Sequence, residues 1–146
     1  MLKGMDRAIT AELLMVLMSM GHGDDLLICD VNHPAATIAK HTTHGRLVNM
    51  AGCDLARAAE AILSLMPIDT FVPEPVVRME VVGDPDLIMP IHQRLQEVID
   101  RIEGRPVGMQ ALERFDFYAA ANRAFAVVRT SDPGPYGCFI LRKGVI

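Results

Sequence analysis

Asp24-Asp25-Leu26-Leu27-Ile28-Cys29-Asp30 decides the fold. Four apolar residues in a row between acidic ones mark a strand buried on both faces, because a half-exposed strand alternates instead. Just upstream, Leu13, Leu14, Leu17 and Met20 recur at helical spacing. Thr10 stands where an N-cap belongs and Gly21 ends the run, which predicts a helix over residues 11–20. A helix feeding a fully buried strand is the start of a layered α/β domain.

The alternation continues outward from this unit. Residues 33–45 hold little periodicity, and 46–50 read as a short strand before a turn at Gly52. Asp54 caps a helix on which Leu55, Ala59, Ile62, Leu63 and Met66 share a face, and Pro67 stops it. The β-branched stretch 76–82 reads as a strand, broken at 83–85. The helix that follows aligns Leu87, Ile91, Leu95, Val98, Ile99 and Ile102 and closes at Gly104. A short helix over 114–123 precedes strands at 125–130 and 138–142, with Pro133-Gly134-Pro135 between them. The pattern predicts a three-layer α/β/α single domain over residues 1–146. Helices should cover both faces of a mostly parallel sheet, and an antiparallel closing strand pair would make that sheet mixed.

Composition narrows the function. A chain of 146 residues with 51% apolar and only 5% aromatic residues builds its core from aliphatic side chains and ten methionines, without needing disulfides or metal. Net charge is −4 and no cluster of Lys and Arg could neutralise a row of phosphates, which argues against nucleic acid. The three cysteines, at 29, 53 and 138, lack CxxC spacing and read as reduced thiols. No segment has the ~18 uncharged apolar residues of a membrane span, and the N-terminal run is too short for a signal peptide, so a cytoplasmic protein is expected. A high apolar fraction in so small a chain predicts a homo-oligomer.

Gly21-His22-Gly23-Asp24 lies between helix and strand, and the two glycines leave the imidazole unobstructed. Asp30 stands at the carboxyl end of a buried strand, where functional residues of open α/β sheets gather, so the two could share a site. The plainer alternatives are a solvated histidine and a turn-capping aspartate. Glu113-Arg114-Phe115 could bind sugar hydroxyls or form a surface ion pair. Tyr136-Gly137-Cys138 could face a ligand or close a turn. His41 and His44 have chelating spacing but no further ligand nearby, so no metal is expected. His33 and His92 have no partner visible in the sequence.

Taken together, Leu2-Lys3-Gly4, Glu12-Leu13-Leu14, Met20-Gly21-His22-Gly23-Asp24, Asp30-Val31-Asn32-His33-Pro34, Leu112-Glu113-Arg114-Phe115, Phe117-Tyr118, Ala124-Phe125-Ala126-Val127-Val128, Tyr136-Gly137 and Leu141-Arg142-Lys143-Gly144 resemble the ribose pyranase and L-fucose mutarotase family, the L-fucose branch more closely. The resemblance implies a toroidal, commonly decameric assembly with monosaccharide sites where subunits meet. It implies His22 as proton donor, Asp30 and Arg114 as sugar contacts, and Tyr136, Gly137 and Cys138 as pocket lining. Cys138 stands where the family usually has Asn. Val48-Asn49-Met50-Ala51-Gly52 stands where the L-fucose branch usually reads Ile-Arg-Ala-Asp-Gly.

The expected chemistry is cofactor-free hemiacetal opening and re-closure, an isomerase reaction, with His22 as acid/base and Asp30 orienting it or holding a hydroxyl. Arg114 would steady the anomeric oxyanion. Pyranose–furanose interconversion of ribose, and a non-catalytic sugar-binding transport accessory, are the alternative readings.

Overall fold

The computed structural model describes residues 2–146. Its elements run α1 (Ala11–Ser19), β1 (Asp25–Cys29), α2 (Ala35–Ala39), β2 (Leu47–Asn49), α3 (Leu55–Leu63), β3 (Val76–Met79), α4 (Pro90–Glu103), β4 (Met109–Leu112), α5 (Arg114–Ala121), β5 (Ala126–Arg129) and β6 (Cys138–Arg142). Thr10 caps α1 by accepting from the Leu13 N–H at 3.1 Å, and Asp54 caps α3 through the Arg57 N–H at 2.8 Å.

One six-stranded sheet has the order β2-β5-β1-β6-β3-β4. All neighbours are parallel except β6, which runs antiparallel to both β1 and β3. The sheet is therefore mixed. β5 and β6 do not pair with each other, because β1 lies between them. The Pro-Gly-Pro segment is thus a crossover rather than a hairpin turn.

Three layers follow from side-chain alternation along the strands. Leu26 and Ile28 join Phe139, Leu141 and Val128 under α1, α3 and α4, while Leu27 and Cys29 join Ile140, Cys138 and Val127 under α2 and α5. Leu26, Leu27 and Ile28 are fully buried, and each contributes about 1.5–3 kcal/mol of hydrophobic burial. That is why β1 is apolar on both sides.

Three elements differ from expectation. α2 forms where little periodicity is visible, because a five-residue helix buries only Ala35, Ile38 and Ala39. β4 is an edge strand, paired only to β3, and its partly exposed Met-Gln-Ala-Leu carries no strong strand signal. α4 begins at Pro90, which suits the first helical position, so Leu87 lies in the preceding segment.

Candidate active site

The direction of β1 separates the two residues that best promise chemistry. His22 precedes its amino end and Asp30 follows its carboxyl end. Five strand residues span about 17 Å, so one chain cannot bring both to the same small ligand. The sequence alone suggests that they share a site; within a chain they do not.

At the carboxyl edge, Asp30, Asn32, His33, Met79, Arg114, Tyr118, Tyr136 and Cys138 line a cavity of about 240 Å³. This is smaller than the roughly 300–1,000 Å³ of pockets for drug-sized ligands, so it would take a small molecule. Asp30 is buried, and one of its oxygens accepts the N–H groups of Asn32 at 2.7 Å and His33 at 3.0 Å. Burial pushes its carboxyl above the ordinary carboxylate value, and those backbone donors oppose the shift. The Asp30 N–H donates to the Gly137 carbonyl at 2.7 Å, joining the start of β6 to the end of β1.

Arg114 opens α5 and stacks over Phe115 at 4.6 Å. Cys138 is a neutral thiol, its pKa pushed well up by burial. With Met79 it adds apolar lining to the cavity. Burial also pushes the His33 imidazole down to about 4, so it is uncharged at neutral pH. Two buried side-chain atoms lack a hydrogen-bond partner among the described residues, His33 Nε2 and Arg114 Nε. Both belong to this cavity wall, where unpartnered polar groups are costly unless something supplies the bond.

At the amino edge, His22 is 42% exposed and its Nε2 lies 3.2 Å from Oδ1 of Asp69, which is 3% exposed. A carboxylate only accepts, so Nε2 carries the proton in this pair and Nδ1 is the ring nitrogen left for other partners. Asp69 is held below the ordinary carboxylate value by the Phe71 N–H and by His22. The Phe71 ring meets the imidazole edge-on at 5.0 Å. Gly144 makes this arrangement possible, since a Cβ there would lie 2.7 Å from the Ile68 carbonyl oxygen and 2.9 Å from the Asp69 backbone. The Gly23 N–H donates to the Lys143 carbonyl at 2.9 Å, fixing the His22 turn to the end of β6. Sequence reasoning misses Asp69, whose only local signal is its place after the Pro67 helix stop. It also leaves His33 and Tyr118 out of the site.

Beside the His22 turn runs an apolar groove of Leu14, Leu17, Met18, Leu65, Val145 and Ile146, in which Met18 is 79% exposed. A larger cavity of about 510 Å³ lies between α4 and the loop before β6. Its charged pair, Arg94 and Asp132 at 2.9 Å, is already satisfied, which leaves it little chemistry to offer. His44 turns to Glu12 at 3.4 Å rather than to His41.

Comparison with known proteins gives a consistent picture. The model of the RbsD / FucU transport protein family matches residues 3–146. An L-fucose mutarotase from Glaesserella parasuis is 37% identical over 99% of this chain and 96% of its own length. The solved structure of protein Atu2016 is 45% identical, with a TM-score of 0.96 over 100% of this chain and 97% of that one. The fucose mutarotase of Streptococcus pneumoniae, solved in complex with L-fucose, is 33% identical, with a TM-score of 0.88 over 99% of each chain.

Proposed function

This chain belongs to the RbsD / FucU transport protein family, and from that membership we propose a two-copy site for its reaction. The protein is a monosaccharide mutarotase, an isomerase that interconverts anomers of L-fucose or a related sugar. The cavity at the carboxyl edge holds the sugar, and His22 reaches it from a neighbouring copy. The carrying observation is the division of β1: the binding groups gather at one end and the exposed imidazole stands at the other. The apolar groove beside His22 supports a neighbour covering that face, since surface of this kind marks an interaction site. A closed ring of copies satisfies such a head-to-tail contact, and the family resemblance implies a decamer. The reading places the protein in the cytoplasm; no helix among the described residues is long and apolar enough to cross a membrane.

In the proposed reaction the proton that leaves the anomeric hydroxyl is carried to the ring oxygen. The bond from C1 to the ring oxygen breaks, the open-chain aldehyde forms, and the hydroxyl re-adds to its other face. His22 moves the proton through Nδ1 while Asp69 fixes the ring through Nε2. Asp30 holds a sugar hydroxyl, not His22 of its own chain. Arg114 steadies the anomeric oxygen as it gains charge, and Tyr136, Gly137 and Cys138 shape the wall. The unpartnered nitrogens of His33 and Arg114 support a ligand rich in hydroxyls.

NMR saturation transfer between the anomers of L-fucose, with D-ribose alongside, tests the assignment. Wild-type protein should accelerate fucose exchange, and His22→Ala should lower the rate by about 10²- to 10⁴-fold with the fold intact. Acceleration with ribose alone would move the reading to pyranose–furanose interconversion. Wild-type rates in His22→Ala would remove His22 from the mechanism.

A further inference from the structure

We propose that His92, which lies outside the cavity, is a positioning residue that holds Tyr136 in the shape the cavity needs; this rests on reading the cavity as the sugar site. Tyr136 has φ 59°, the one non-glycine residue with positive φ among the described residues. A side chain in the left-handed region is strained and stays there only when its surroundings over-determine it.

Two bonds do so. The Tyr136 hydroxyl accepts the Val82 N–H at 3.1 Å, and the Tyr136 carbonyl faces His92 Nε2 at 3.3 Å. The tautomer follows from the other nitrogen. His92 Nδ1 lies 3.2 Å from the Met89 N–H, which can only donate, so Nδ1 is the acceptor and Nε2 carries the proton given to Tyr136.

His92 is 1% exposed, with its ring edge-on to Phe139 at 5.8 Å. Hydrophobic packing alone would be served as well by a hydrocarbon ring. The imidazole adds a bridge from the start of α4 to the residue that begins the cavity wall. Val82 and Met89 lie in the segment between β3 and α4, so Tyr136 is tied to that segment directly at Val82 and, through His92, at Met89. Without the His92 bond, Tyr136 is free to relax to negative φ and withdraw its hydroxyl from the cavity.

A competing role is helix capping, because His92 is the third residue of α4 and bonds back to the Met89 N–H. Three variants separate the roles. His92→Phe keeps a ring against Phe139 and loses both bonds. His92→Gln can restore a donor to Tyr136 while still reaching Met89. Met89→Pro removes the N–H that His92 accepts, together with a side chain packed on the core away from Tyr136, and φ −73°, ψ 153° at Met89 suits proline.

The readouts are the KM and kcat of anomer exchange and the ¹³C-tyrosine NMR spectrum, in which only Tyr118 and Tyr136 contribute. His92→Phe should shift the Tyr136 resonance, leave that of Tyr118 in place and raise KM about tenfold with a smaller change in kcat. His92→Gln should restore both readouts, and Met89→Pro should change neither while lowering the melting temperature. An unmoved Tyr136 resonance in folded His92→Phe, or Met89→Pro behaving like it, would overturn the proposal. His92→Met, flexible enough to fill the same space, takes its place if His92→Phe does not fold. If the wild type accelerates no sugar's exchange, the mutarotase reading fails, while the tyrosine resonances still decide the role of His92.

Discussion

His22 is aimed by a single bond to Asp69, and Asp69 stands where it does because Gly144 lets residues 68 and 69 pack against the chain end. Asp69→Asn should lower the exchange rate by about ten- to a hundredfold with little change in KM, because it weakens orientation and leaves the proposed sugar cavity at the other sheet edge untouched. Steady-state exchange kinetics check this, and a change confined to KM would contradict it. His22 is legible in the sequence because two glycines flank it. Asp69 is not, since nothing in Ile68-Asp69-Thr70 tells which distant segment it will meet. Asp30 and Arg114 are legible as candidates, but their separation from His22 appears only once the direction of β1 is known. His33 Nε2 shows the same limit: its burial without a partner is created by Phe117 and Tyr118 packing around it.

Among the elements, the ends of β1 and β6 meet at the proposed sugar cavity, and their junction is crowded. A Cβ on Gly137 would sit 2.6 Å from Leu55 Cδ1 and 3.2 Å from the Asp30 Cβ. Gly137→Ala should therefore cost about 1–3 kcal/mol and weaken sugar binding, as overpacking forces Asp30 or α3 to move. Denaturant unfolding and fucose titration measure both effects. Asp54→Ala, which removes only the α3 cap, should cost about 1 kcal/mol and leave fucose affinity unchanged. The strong elements are readable because length and burial agree: α1, α3 and β1 bury whole stripes or faces. α2 and β4 are not readable, because a five-residue helix and a partly exposed edge strand are fixed by neighbours rather than by their own pattern. The mixed sheet was open to inference from the closing strands, yet the placement of β6 between β1 and β3 depends on pairings remote in sequence.

For the whole molecule, two desolvated imidazoles, one buried and one half-buried, set an acid limit. His33 and His92 are both pushed by burial down to about 4 from the ordinary 6.5. Between these values the unfolded chain binds more protons than the folded one, so stability rises with pH across the window and is lost as pH falls from about 6.5 toward 4. The loss should be on the order of 3 kcal/mol per imidazole, and His92→Gln should flatten part of the slope in melting temperature against pH. The molecule also exposes Met18, Phe71 and Ile146 near His22, which fits a face covered by another copy.

The division of one site between two copies is tested most directly by co-expressing His22→Ala with Arg114→Ala and measuring anomer exchange of L-fucose. Each variant alone should be inactive. In a randomly mixed assembly about one site in four combines an intact His22 with an intact Arg114 from its neighbour, so about a quarter of the wild-type rate should return. Co-assembled protein that stays inactive would contradict the account and place both residues of each site in the same chain.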